Sequence, residues 1–134
     1  MNRRFRLLIV DDSPVALSFL RAVLQSTYDV DTANDGEDAL QKALAVVPDL
    51  IVTDSLMPNV DGFELIRRLR QHPTTAPIPV VMLTSSEDTD DDMYARAPQP
   101  DATIRKSTSI DPLLIVVRDL LQAQPPSGDS GKLS

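Results

Sequence analysis

The chain has 134 residues, 42% hydrophobic and 25% charged, which is the balance of one globular domain with a sizeable core. Its formal charge of −7 leaves no basic footprint for nucleic acid, and the absence of cysteine excludes disulfides and thiolate metal centres. No apolar run approaches the roughly 20 residues of a membrane helix, and Leu7 to Val10 is too short for a signal peptide's apolar region, so a cytoplasmic protein is expected.

Phe5 to Val10 reads as a buried strand that stops abruptly at Asp11-Asp12. Ser13-Pro14 then starts a helix, Ser13 as N-cap and Pro14 at the first helical position. That helix runs to about Gln25 with Leu17, Leu20 and Leu24 on one face. Tyr28 to Thr32 alternates polar and apolar residues, as a strand near a sheet edge does. Asn34-Asp35-Gly36 is a turn, and Glu37 to Val46 is a second helix with Ala39, Leu40, Ala43 and Leu44 inward.

Pro48 ends that helix, and Leu50-Ile51-Val52 leads into Thr53-Asp54 as a third strand, buried on both faces. A loop over Ser55 to Val60 follows, and Asp61-Gly62 opens a third helix whose outer face carries Arg67, Arg68 and Arg70 to solvent. Pro79 to Leu83 is the fourth strand, ending in Thr84-Ser85-Ser86. The acidic run Glu87 to Asp92 suits the start of a short fourth helix, because acid there complements the helix dipole. Ala102-Thr103-Ile104 is a weak fifth strand before Arg105-Lys106. Ser109 to Pro112 caps a last helix with Leu113, Val117, Leu120 and Leu121 as its apolar stripe.

Strand and helix alternate five times, which predicts an α/β fold: a five-stranded parallel sheet, doubly wound, with five helices on two faces. One domain is expected over residues 1–123, with 124–134 a disordered tail or truncated linker.

In a parallel sheet all strand C-termini lie on one edge, where open α/β sheets bind ligands. Asp11, Asp12, Asp54, Thr84 and Lys106 therefore converge. Each alone has a bland reading: a helix-start acid, a turn former, a strand-end hydroxyl, a surface lysine. Together they make a site. Three carboxylates at close range repel one another, and a hard divalent cation with oxygen ligands removes that conflict; Mg²⁺ fits best. A phosphoryl group on a carboxylate then finds cation and donors in Mg²⁺, Lys106, Thr84 and loop N–H groups, which points to covalent phosphoryl transfer to an aspartate.

On Asp11-Asp12, the Asp54-Ser55-Leu56-Met57-Pro58 run, Gly62, Thr84 and Lys106, in that order and spacing, the chain resembles the response-regulator receiver family, the CheY-like phosphoacceptor domains of two-component signalling. The resemblance implies the flavodoxin-like, CheY-like fold. It implies Asp54 as phosphoacceptor, with Asp11, Asp12, Asp54 and the Leu56 backbone carbonyl around Mg²⁺. Thr84 and Lys106 would contact the phosphoryl group, with the backbone N–H groups of Ser55 and Ser85.

The implied donor is a sensor histidine kinase, a histidine phosphotransfer protein or a small acyl phosphate. The domain would catalyse its own phosphorylation and dephosphorylation without being an enzyme in its own right. Phosphorylation would change binding to a downstream protein through the face of the fourth helix, fifth strand and last helix. Thr103 replaces the aromatic usual at the switch position and Ser107 the proline usual after the lysine, which leaves a phosphate shuttle or sink, or part of a larger regulator, as the alternative reading.

Overall fold

The computed structural model describes residues 4–57, 59–85, 98–106 and 109–123. Five strands form one parallel sheet: β1 Arg6–Val10, β2 Asp29–Ala33, β3 Leu50–Asp54, β4 Val80–Thr84 and β5 Ala102–Arg105, ordered β2-β1-β3-β4-β5. Four helices are described: α1 Pro14–Leu24, α2 Gly36–Ala45, α3 Gly62–Arg70 and α4 Asp111–Gln122. The expected helix beginning at Glu87, the loop residue Pro58, Ser107 and the tail from residue 124 lie outside the described residues.

The parallel pairing follows from the alternation of strand and crossover. Because successive strand residues face opposite ways, each central strand must be apolar on both sides. β1 accordingly sends Leu8 and Val10 into one core layer and Leu7 and Ile9 into the other. The first layer packs Ala39, Ala43, Phe63, Leu65, Ile66 and Leu69 of α2 and α3 on the sheet. The second packs Leu20 and Leu24 of α1 with Leu113, Val117 and Leu121 of α4. Every residue of β3 and β4 is buried, while β2 at the sheet edge keeps its alternation of exposed and half-buried residues.

Three helices start on side-chain caps. The Ser13 hydroxyl accepts the Ala16 N–H, and the carboxylates of Asp35 and Asp61 accept the N–H groups of Asp38 and Glu64. Asp35 is thus the cap of α2 rather than part of a free turn, and Gly36 is its first helical residue. At α4 the Ser109 hydroxyl accepts the Asp111 N–H at 3.3 Å.

Two expectations are corrected. Leu44 does not point inward; it is 40% exposed, because Ala39, Leu40 and Ala43 already fill the contact stripe of α2. The arginines of α3 do not form a free solvated face. Arg67 and Arg68 both bond Glu64, and Arg68 reaches Glu37 on α2 at 3.0 Å. Arg70 donates to the carbonyls of Ala76 and Ile78 and pairs with Asp101, whose carboxylate also takes the Val80 N–H. The residues leading into β4 have carbonyls outside the sheet ladder, and the forked guanidinium satisfies them.

Candidate functional site

β1, β3, β4 and β5 deliver Asp11, Asp54, Thr84 and Lys106 to one edge of the sheet. β1 and β4 turn polar where their apolar runs end, at Asp11 and Thr84, while β3 and β5 carry Thr53 and Arg105 just before Asp54 and Lys106. Asp11 is 2% exposed and its own N–H bonds the Ala33 carbonyl, which continues the β1–β2 ladder. Its Oδ1 accepts the Ser13 N–H at 2.9 Å, a local turn that fixes the carboxylate as α1 begins. The Asp-x-Ser spacing carries that signal, and reading Ser13 only as a helix cap misses it. Asp12, the next residue, is exposed.

Asp54 is 8% exposed at the end of β3. Carboxylate oxygens of Asp11, Asp12 and Asp54 lie within 4.8 Å of one another. Lys106 Nζ stands 3.2 Å from Asp54 Oδ1 and 3.7 Å from Asp11 Oδ2. Its backbone is fixed by the Lys106 N–H bond to the Thr84 carbonyl, at 2.7 Å. Burial pushes the Asp54 carboxyl above its ordinary value; the Asp11 charge adds to this, and Lys106 and the Ser55 N–H pull it partly back.

Three carboxylates stand against one ammonium at a rim where Asp11 and Asp54 are buried and Asp12 and Lys106 are exposed. The donor set is all hard oxygen, the pattern that suits a divalent cation such as Mg²⁺. The residues present therefore fit the metal expected from the sequence.

The loop after β3 is shaped by two contacts. The Gly62 N–H bonds the Ser55 carbonyl at 3.0 Å, closing the loop on itself. A Cβ at Gly62 would meet the Asp54 carbonyl oxygen at 2.6 Å, so the helix start and the strand end touch backbone to backbone. Asn59 takes a positive φ of 67°, where asparagine is among the few residues at ease. Met57 and Val60 are buried beneath the loop, while the Leu56 side chain is 60% exposed.

The Ser55 N–H, expected to face a phosphoryl oxygen, also donates to the Leu83 carbonyl at 3.0 Å, so it is shared with the sheet. Thr84 is 4% exposed at the end of β4, and Ser85 beside it is half-buried. Thr103, the altered switch position, is exposed; in the ladder it stands beside Met82, and Arg105 stands beside Thr84. The structure thus gathers the expected acidic residues and Lys106 at one point.

A family model for the response regulator receiver domain matches residues 7–118. The chain is 36% identical over 121 residues to response regulator ArlR of Staphylococcus saprophyticus, covering 90% of this chain and 54% of that one. It therefore spans about half the length of that relative. The fold superposes on the signal receiver domain of a signal transduction histidine kinase from Syntrophus aciditrophicus with a TM-score of 0.82 at 30% identity, covering 97% of each chain. It superposes on response regulator TrrA of Thermotoga maritima, solved with Mg²⁺ and BeF, with a TM-score of 0.74 at 32% identity, covering 87% of this chain and 98% of that one.

Proposed function

This chain belongs to the response regulator receiver domain family, and from that premise we propose that it takes a phosphoryl group on Asp54 and uses it to change what it binds. The observation that carries this reading is the pairing of Lys106 with both Asp54 and Asp11 inside a three-carboxylate cluster.

Asp54 acts as the nucleophile through a carboxylate oxygen. Its raised affinity for protons marks a site that disfavours bare negative charge and gains from cations. Lys106 supplies one, close enough to meet phosphoryl oxygens as they approach Asp54. Asp11, Asp12, Asp54 and the Leu56 carbonyl would hold Mg²⁺, which when bound neutralises phosphoryl charge. Thr84 and the N–H groups of Ser55 and Ser85 provide further donors at the rim. Residues on this one edge suffice to bind, orient and accept the group, so the domain catalyses its own phosphorylation and the later hydrolysis.

The donor is a sensor histidine kinase or a histidine phosphotransfer protein, with a small acyl phosphate able to replace either. The product state shifts a two-state equilibrium and with it the affinity for a downstream protein, through the face that includes β5 and α4. The cytoplasm is the compartment that suits a cysteine-free phosphoacceptor; no helix among the described residues is long and apolar enough to cross a membrane.

Intact mass after incubation with acetyl phosphate and Mg²⁺ tests the reading. One added phosphoryl group, lost in Asp54→Asn and lost with EDTA, is the expected result. Absence of both an adduct and beryllofluoride binding would sink it.

A further inference from the structure

The loop after β3 carries the Leu56 carbonyl, one of the groups proposed to hold Mg²⁺. Leu56 does little to fix that carbonyl itself, since its side chain is 60% exposed. The place of the carbonyl is therefore inherited from the residues around it. The Gly62 N–H bonds the Ser55 carbonyl on one side, and Met57 and Val60 are buried in the core layer of α2 and α3 on the other. A further anchor comes from α2, a helix that bears none of the acidic cluster. A Cβ at Gly36 would stand 2.5 Å from Val60 Cγ1 and 2.7 Å from both the Val60 Cβ and its carbonyl oxygen. Packed atoms do not approach so closely, so the first turn of α2 lies with its backbone directly on the loop.

The start of α2 is itself fixed. The Asp35 carboxylate accepts the Asp38 N–H, Ala39 and Ala43 are 0% exposed, and Glu37 pairs with Arg68 of α3 at 3.0 Å. Bulk added at Gly36 must therefore displace the loop rather than the helix. We infer that Gly36 is a positioning residue for the metal: through Val60 it sets the depth of the loop, and with it the place of the Leu56 carbonyl. This rests on the reading of Asp11, Asp12, Asp54 and the Leu56 carbonyl as the groups that hold Mg²⁺. That ion demands near-ideal octahedral geometry, so a displaced ligand weakens it steeply.

Mg²⁺ titration of the protein without any phosphoryl donor, followed by NMR, provides the test. Gly36→Ala should weaken Mg²⁺ binding at least about tenfold, as loss of a group that orients a ligand does. Val60→Ala withdraws the methyl groups that brace the loop against Gly36 and should weaken it about three- to tenfold. Leu121→Ala empties buried space in the opposite core layer, away from the loop, and should leave the affinity within about twofold of wild type. In the metal-free protein the Leu56 carbonyl carbon shift should move in Gly36→Ala and Val60→Ala and stay in place in Leu121→Ala.

Wild-type affinity in folded Gly36→Ala would overturn the inference while leaving the acidic cluster as the metal site. Should Gly36→Ala fail to fold, wild-type affinity in Val60→Ala would overturn it equally. An equal loss in Leu121→Ala would do so too, by tracing the effect to general loosening. A wild type that binds no Mg²⁺ would remove the metal from the proposed function and this inference together.

Discussion

Lys106 Nζ sits between two carboxylates, 3.2 Å from Asp54 and 3.7 Å from Asp11, and those two acids come from different strands. The lysine therefore couples Asp54, the proposed phosphoacceptor, to Asp11 through one cation. Removing it leaves two buried carboxylates facing each other with no counter-charge. Lys106→Met should raise the Asp54 pKa further and slow phosphorylation by acetyl phosphate about a hundredfold. Carbon-detected NMR titration of the Asp54 carboxyl and a mass-resolved time course read the two effects. An unchanged rate would show that Lys106 does not meet the phosphoryl group.

Asp54→Asn should stabilise the metal-free protein at neutral pH. A carboxyl whose pKa is raised by folding binds its proton more tightly in the folded chain than in the unfolded one. Stability then falls as pH rises from the ordinary aspartate value through the raised folded value, and it stays lower above that. The amide removes this loss. Melting curves in EDTA should show the variant a few degrees higher at pH 7, with the gap closing as pH falls below the ordinary value. Adding Mg²⁺ should raise the wild type more than the variant, since it binds the folded carboxylates.

Glu64→Gln tests the paired arginines of α3 from the opposite direction. Hydrogen bonds from Arg67 and then Arg68 hold the Glu64 carboxyl down to about 2. A depressed pKa contributes stability that is present above the ordinary value near 4.5 and is lost as pH falls towards 2. The variant should be slightly less stable at pH 7 and indistinguishable from wild type near pH 2. Salt should shrink the difference, because Arg67 is exposed and Glu64 and Arg68 are only half-buried.

Gly62→Ala should destabilise despite placing a better helix former at the first position of α3. Alanine ordinarily gains about 0.5–1 kcal/mol over glycine inside a helix. Here its Cβ would lie 2.6 Å from the Asp54 carbonyl oxygen, a backbone atom that cannot turn aside. Urea denaturation should show a net loss of about 1–3 kcal/mol, the usual cost of forcing an atom into packed space. Phosphorylation should slow too, because the displaced residue is the proposed acceptor.

Leu44→Gln and Ile66→Ala should separate the two kinds of apolar residue on neighbouring helices. Leu44 is 40% exposed, so its replacement should change stability by no more than about 0.5 kcal/mol. Ile66 is 0% exposed, and truncating it should cost about 2–5 kcal/mol by leaving a cavity. The same urea titration reads both, and a large loss from Leu44→Gln would place that side chain in the core after all.

Sequence by itself determined the alternation of strand and helix, hence the parallel sheet, and the residues that end each strand. Those features are local: apolar runs of fixed length, caps such as Ser13 and Asp61, and turn formers that stop a run at Asp11 and Asp54. Because parallel strands all finish on one edge, strand ends read from sequence were enough to gather the acids and Lys106 in advance. Tertiary structure alone decided how the space between elements is shared. Leu44 has the right periodicity for the core, but smaller neighbours had already closed the contact of α2 with the sheet. Arg70 sits on the outer turn of a helix by pattern, yet distant carbonyls of Ala76 and Ile78 draw it inward. Gly62 marks a helix start in sequence, whereas its necessity comes from a carbonyl eight positions earlier that only the folded loop brings within 2.6 Å. Local pattern fixes which way a backbone runs and where it stops; burial and close approach depend on atoms far apart in the chain, and no local pattern records their distance.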